Sequence, residues 1–72
     1  MAAGLIKRSV AIAGHRTSIS LEPVFWTALV AAAAAQDRPL NAVIAEIDEA
    51  RTTNLSSAIR VWLFERSQVG DK

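Results

Sequence analysis

The residues of this sequence best suited to chemistry lie in one short alternating run. Arg16, Ser18 and Ser20 alternate there with Thr17, Ile19 and Leu21. Successive side chains of an extended chain point to opposite faces, so one face of this run carries a guanidinium and two hydroxyls. These groups donate hydrogen bonds, and a guanidinium also binds anions. The run therefore predicts a binding face and not a reaction centre.

The remaining residue types of the sequence argue against catalysis. The 72 residues include no cysteine, no tyrosine and a single histidine, His15. Without cysteine there is neither a disulfide nor a Cys-based zinc site, and the sequence has no glycine-rich phosphate loop. We therefore predict a protein that is not an enzyme and that uses no cofactor and no metal, with His15 as a turn residue.

Charge is distributed unevenly along the chain. The first twenty residues carry Lys7, Arg8 and Arg16 and no acidic residue, whereas residues 21–50 are strongly acidic. A basic end on a nearly neutral chain suggests a local anionic partner. The longest apolar stretch, Val24–Ala35, is too short to span a bilayer, and no export signal is recognised. These features predict a cytoplasmic protein with no membrane partner.

The elements that must position the binding face are one strand and three helices, so the fold class is mainly α with one short N-terminal strand. Pro23 opens a helix that ends near Gln36, and an amphipathic helix follows from Leu40 to about Arg51. Thr52-Thr53-Asn54 provides a cap for a third helix, about Leu55 to Ser67. We predict a domain over residues 16–67, a basic arm over 1–15 and a frayed tail over 68–72.

A single strand cannot satisfy its own backbone groups, and 72 residues are near the limit for an independent core. The simplest partner is the same strand of a second copy, paired antiparallel across a two-fold axis. The prediction is an intertwined homodimer with an intermolecular two-stranded ribbon and a third C-terminal helix. Its predicted core consists of Ile19, Leu21, Trp26, Leu29, Val43, Ile44, Ile47 and Trp62.

A two-stranded antiparallel ribbon fits the major groove of B-DNA, where arginine can grip guanine and hydroxyls can bond either kind of base edge. The same face could equally be an ordinary solvated strand face. The need to dimerise and the lack of catalytic groups favour double-stranded DNA as the partner.

The run from Arg16 to Pro23, followed by two amphipathic helices and a short turn at Asp37–Pro39, resembles the Arc/MetJ/CopG ribbon-helix-helix superfamily. The longer pattern with Lys7-Arg8-Ser9-Val10, Gly14-His15 and Phe25-Trp26 is similar to a small bacterial branch with an additional C-terminal helix. The resemblance covers about residues 7–66. It implies a transcriptional regulator, repressor-like, that binds DNA sequence-specifically.

Carried over from that resemblance, the base-contacting positions are Arg16, Ser18 and Ser20. The resemblance also implies phosphate binding by backbone amides at the start of the second helix, here at Leu40 and Asn41 with Arg38 adjacent. Many members have Ser or Thr where Pro39 stands, and proline has neither an N–H nor a hydroxyl. This departure weakens the expected phosphate clamp and leaves the expected fold intact.

The N-terminal segment allows two interpretations. Arg8, Val10 and Ile12 alternate with Lys7, Ser9 and Ala11, so a second strand that turns at Gly14 is one alternative. The other is a flexible arm whose Lys7 and Arg8 reach phosphates, which we favour in the DNA-bound state because four strands are too wide for the groove.

The rival function is a dimeric protein-interaction module, such as an antitoxin or an adaptor, whose third helix binds a protein partner through Trp62 and Phe64. The favoured interpretation of these two aromatic residues is that they belong to the dimer core.

Overall fold

The computed structural model describes residues 4–69. Two strands come first, β1 (Ile6–Ile12) and β2 (His15–Leu21), and three helices follow, α1 (Pro23–Ala35), α2 (Leu40–Ala50) and α3 (Leu55–Val69). A strand followed by three helices is the element order that the sequence predicts, with one additional strand before it. Helices α1 and α2 end one residue before the predicted positions, and α3 continues through Gln68 and Val69, which the sequence assigned to a frayed tail.

The strands form an antiparallel hairpin in which Ile6 lies opposite Leu21 and Ile12 lies opposite His15. Ala13 and Gly14 connect them, with φ of 50° and 85°. Positive φ at both central residues is typical of a type I′ turn, whose twist matches that of the flanking strands. Glycine adopts this conformation freely, whereas the Cβ of Ala13 makes it costly. His15 is the first residue of β2, directly after the predicted turn.

Local hydrogen bonds explain where the helices begin and end. The Glu22 carbonyl accepts hydrogen bonds from the backbone N–H groups of Phe25 and Trp26 as α1 begins. After α1, Asp37 has a φ of 55°, and its N–H and that of Arg38 donate to Ala34 and Ala33. This is the Schellman pattern that ends a helix. Asn54 Oδ1 accepts from the Ser57 N–H at 2.8 Å, which confirms the predicted cap of α3.

The core lies between one face of the hairpin and the three helices. β1 packs against α2, β2 packs against α3, and α1 contacts both other helices. Seven of the eight predicted core residues are buried within this single chain, and Trp62 is half-buried. A dimer core made of these residues stays a prediction. Val30, on α1, is 51% exposed. The buried side chains are Val10, Ile12, Ile19, Leu21, Trp26, Leu29, Ala32, Ala33, Val43, Ile44, Ile47, Ile59 and Leu63.

β2 pairs with β1 of its own chain along one edge. The predicted pairing of β2 with a second copy would use the other edge and stays a prediction. The N-terminal segment thus adopts the strand alternative over Ile6–Ile12. Small side chains at Ser9 and Ala11 and an Ala-Gly connection make β1 a weak signal, because the usual hairpin markers are β-branched strands and Asn-Gly or Asp-Gly turns.

Candidate nucleic-acid interface

One face of the hairpin is turned away from the helices. The register places its six side chains in three directly opposite pairs, which are Ala11 with Arg16, Ser9 with Ser18, and Lys7 with Ser20. Five of the six are exposed and Ser20 is half-buried. We call these six residues the open face. It brings the three predicted base-contacting residues together with Lys7, and it adds Ser9 and Ala11, which sequence reasoning did not assign although their alternation was visible.

The opposite face of the hairpin carries Arg8 as well as the buried aliphatic residues. The Arg8 guanidinium lies over the Trp26 ring, 5.2 Å from its centroid, and Trp26 Nε1 donates to the Ile6 carbonyl at 2.8 Å. Lys7 and Arg8, predicted together as phosphate contacts, therefore lie on opposite faces. Of the two, only Lys7 belongs to the open face.

The C-terminal end of β2 is held by α3. Ser56 Oγ donates to the Ser20 carbonyl at 3.0 Å, across 36 positions of sequence. Next to it, Arg60 Nε lies 3.0 Å from Glu22 Oε1, and the Arg60 guanidinium lies 5.7 Å from the centre of the Phe25 ring. The strand that carries Arg16, Ser18 and Ser20 is thus positioned by the third helix. No local signal in the sequence could have indicated so distant a contact.

The electrostatics of the hairpin favour an anionic ligand. Neither strand contains an acidic residue, and the first one, Glu22, follows β2. A hydrogen bond from its own backbone, and then one from Arg60, lower the pKa of Glu22 below its usual value. Within the described part of the chain, the three ion pairs are Arg38–Glu46, Arg51–Asp48 and Arg60–Glu22. None of them involves Lys7 or Arg16.

The predicted phosphate clamp lies on a separate element, the start of α2. Pro39 is the N-cap residue, and its carbonyl accepts from the N–H groups of Ala42 and Val43. The amides of Leu40 and Asn41 precede these donors, in the first turn where a helix offers N–H groups to an anion. Arg38 is engaged elsewhere, because its guanidinium pairs with Glu46 and also donates to Gln36 and to the Ala42 carbonyl.

The third helix exposes part of its aromatic content. Trp62 is half-buried, with the Arg66 guanidinium 5.4 Å from its ring centroid, whereas Phe64 is 64% exposed and Val61 is 52% exposed. Phe64 therefore does not belong to the core of the single chain. No described helix combines the length and hydropathy that a bilayer crossing requires. Among residues 4–69, no three His, Asp or Glu side chains are grouped so that they could hold a metal ion.

Fold and open face together define a class, a small helical protein that presents a two-stranded ribbon with basic and hydroxyl side chains. The comparison with protein families matches residues 5–67 to the ribbon-helix-helix domain. Because the match covers most of the 72 residues, the chain belongs to the ribbon-helix-helix family, a family of DNA-binding regulators. Its members typically bind DNA as dimers and are generally not enzymes. Comparisons with curated proteins and with solved structures gave no match.

Proposed function

We propose that this protein binds double-stranded DNA sequence-specifically by placing the open face of its hairpin in the major groove. The observation that carries the proposal is the composition of that face, which has two cations, three serines and one alanine and no acidic or bulky apolar side chain. A two-stranded ribbon has the width that the groove admits. Bound there, the protein acts as a transcriptional regulator of the repressor kind, because it occupies the DNA that other proteins must reach.

In this proposal, different residues contact the bases and the phosphates. Arg16 grips a guanine through two hydrogen bonds, and Ser18 and Ser20 bond neighbouring base edges. The amides of Leu40 and Asn41 hold phosphates, and Arg8 adds positive charge beside the ribbon. Arg38 contributes charge at the same helix start while it remains paired with Glu46. Phosphate contacts set affinity and position, and base contacts set sequence preference.

Competition binding with a selected duplex and a scrambled duplex tests the proposal. Arg16→Ala should cost about 1–3 kcal/mol on the selected duplex and far less on the scrambled one. Arg51→Ala is the matched control, because it removes the same charge from an exposed residue at the end of α2. Arg38→Ala should weaken binding to both duplexes about equally. For the parent protein, the logarithm of affinity should fall with the logarithm of salt concentration.

If Arg16→Ala binds both duplexes as the parent does while its circular dichroism is unchanged, the hairpin is not the reading element. The second candidate function then leads, which is docking of a protein partner on α3. The exposure of Phe64 and Val61 favours that candidate, since exposed apolar side chains on one helix are typical of binding surfaces. Phe64→Ser would abolish partner binding and leave DNA binding unchanged.

A further inference from the structure

The three proposed base-contacting residues of β2 are held in place to different degrees. Arg16 and Ser18 are exposed, and within residues 4–69 no side-chain hydrogen bond or ion pair joins either of them to a helix. Ser20 is half-buried, and its carbonyl accepts a hydrogen bond from Ser56 Oγ of α3 at 3.0 Å. The structure therefore fixes the Ser20 end of the open face to a helix, whereas the hairpin supports the Arg16 end.

The residues that follow Ser20 strengthen the same attachment. Leu21 is completely buried, and the Glu22 carboxylate pairs with Arg60, about one helical turn after Ser56. Residues four apart lie on the same side of a helix, so Ser56 and Arg60 both face the end of β2. The end of β2 is thus held by α3 through a hydrogen bond and an ion pair, with a buried leucine between them.

Ser56 itself lies on a firmly placed part of α3. It is the second residue of the helix, and Asn54 Oδ1 caps the first turn by accepting from the Ser57 N–H. Ile59, later in the same helix, is completely buried and packs this end of α3 into the core. Groups on packed regular elements are held more precisely than groups on loops. The Ser56 hydroxyl is therefore well suited to hold a strand in place.

A serine can read a base edge only when its backbone is held accurately. The Ser20 hydroxyl is joined to its Cα through a single side-chain torsion, so its position follows the backbone at that residue. Recognition groups must be held within about 0.5 Å of their productive position, and neighbouring hydrogen bonds provide this support. The bond from Ser56 goes to the Ser20 carbonyl and leaves the Ser20 hydroxyl free to contact DNA.

We propose that Ser56 is a positioning residue for sequence-specific DNA binding, because its hydrogen bond sets where the Ser20 hydroxyl meets a base edge. This inference rests on the function proposed above and adds a specificity-determining residue that does not touch the DNA. A carbonyl oxygen has two lone pairs, so the Ser20 carbonyl can also accept from a strand that a second copy adds at the edge of β2 that β1 does not use. In a ribbon made by two copies, the contact occurs once beside each Ser20.

Selection of binding sites from a random duplex pool tests the assignment. Ser20→Ala first identifies the base pair that Ser20 contacts, as the one whose preference is lost. Ser56→Ala should relax the preference at that base pair, keep the preference that depends on Arg16, and lower affinity for the parent's site roughly 3- to 10-fold, the factor expected for one hydrogen bond. Ser56→Thr retains a hydroxyl and should keep the parent's preference. Ser57→Ala is the matched control, since it removes a half-buried hydroxyl from the next position of α3.

Double variants distinguish positioning of Ser20 from a general effect on the fold. Ser20→Ala removes the hydroxyl and keeps the carbonyl that Ser56 holds, so adding Ser56→Ala to it should cause no further loss of preference. When Ser56→Ala is added to Arg16→Ala, the loss should equal the one that Ser56→Ala causes in the parent. Additive losses for Ser20→Ala and Ser56→Ala would mean that Ser56 acts elsewhere, and the inference would fail.

Other results separate the inference from the function on which it rests. If folded Ser56→Ala selects the parent's sequence, or binds all duplexes more weakly by one factor, the inference fails while the proposed function stands. If the parent protein itself shows no preference among duplexes, the proposed function fails first and the inference fails with it. Should Ser56→Ala not fold, Arg60→Met takes its place, because it releases the same end of β2 through Glu22 and should relax the same base pair. An unchanged selection by Arg60→Met would then overturn the inference.

Discussion

At the scale of single residues, Glu22 connects the hairpin to the helices. It follows β2, its carbonyl accepts the first hydrogen bonds of α1, and its carboxylate pairs with Arg60 of α3. A hydrogen bond from its own backbone, together with the Arg60 pair, lowers its pKa. Three elements thus meet at one residue, whose carboxylate must be ionised to form the ion pair with Arg60.

The lowered pKa of Glu22 gives a pH-dependent prediction with a definite sign. Its carboxylate favours the folded state above the ordinary pKa of 4.5, and this contribution is lost as pH falls through the lower folded-state pKa. Glu22→Gln should therefore show a weaker loss of stability in acid than the parent, with the urea midpoint as the measurement. Glu49→Gln, a change at an exposed acid of α2, is the control and should follow the parent. If the urea midpoints of Glu22→Gln and the parent fell equally with decreasing pH, the stabilising role of the Glu22 carboxylate would be contradicted.

At the residue scale, the sequence predicts those features that depend on periodicity. Alternation places Arg16, Ser18 and Ser20 on one face and Ile19 and Leu21 on the other, and the structure has that arrangement. The pairing of Arg8 with Trp26 and of Ser56 with Ser20 joins distant positions. Such contacts depend on how packed elements meet, and no local pattern of residue types encodes them.

At the scale of elements, the hairpin depends on its two-residue turn. Ala13 holds a left-handed conformation that costs an L-residue about 1–2 kcal/mol, and Gly14 holds one that glycine adopts freely. A Cβ added at Gly14 would meet no atom within 4 Å, so the cost of replacing that glycine is conformational only. The turn therefore limits the stability of the hairpin through backbone preference and not through packing.

Substitutions in the turn should change stability in opposite directions. Ala13→Asn should raise the free energy of unfolding by up to about 1 kcal/mol, because asparagine tolerates the left-handed region and Asn-Gly is the preferred type I′ pair. Gly14→Ala should lower it by about 1 kcal/mol. Urea unfolding followed by circular dichroism measures both. A neutral Gly14→Ala would mean that the turn is not type I′ in solution.

The order of the elements could be predicted in part from the local backbone chemistry of a few residues. Pro23, the Asp37–Pro39 break and Asn54 mark helix boundaries through local backbone chemistry, and the helices begin where these residues predict. The alternation of Arg8, Val10 and Ile12 allows β1, but the sequence favours a flexible arm because four strands would be too wide for the major groove. Which residues of β1 lie opposite those of β2 follows from the register, which the alternation alone does not give.

At the scale of the whole molecule, the surface of α1 is unusual. Its 13 residues include no charged side chain, and Val24 and Val30 are 68% and 51% exposed. A helix that is apolar on every side is normally covered on every side. β1 pairs with one edge of β2 only, so the homodimer expected from the sequence and typical of the family can join two copies through the other edge of β2 and through the apolar surface of α1.

Sedimentation at micromolar concentration checks this assembly. The parent should contain two chains per particle, and Val30→Glu should yield single folded chains, because it places a charge in the apolar surface of α1. Ala50→Glu adds the same charge at the exposed end of α2 and should keep the parent's mass. A parent that sediments as a single folded chain would contradict the predicted dimer.

Because Trp26 donates a hydrogen bond to the Ile6 carbonyl, the fluorescence of Trp26 can report whether β1 is docked on the helices. The indole is 3% exposed and lies beneath the first residue of β1, with the Arg8 guanidinium on its ring. If the first strand separates from the helices, the indole enters water and its fluorescence emission shifts to longer wavelength. Trp62 is the second tryptophan of the chain, so Trp62→Phe would leave Trp26 as the single emitter. Docking of the ribbon could then be followed in time without an attached dye, with and without DNA.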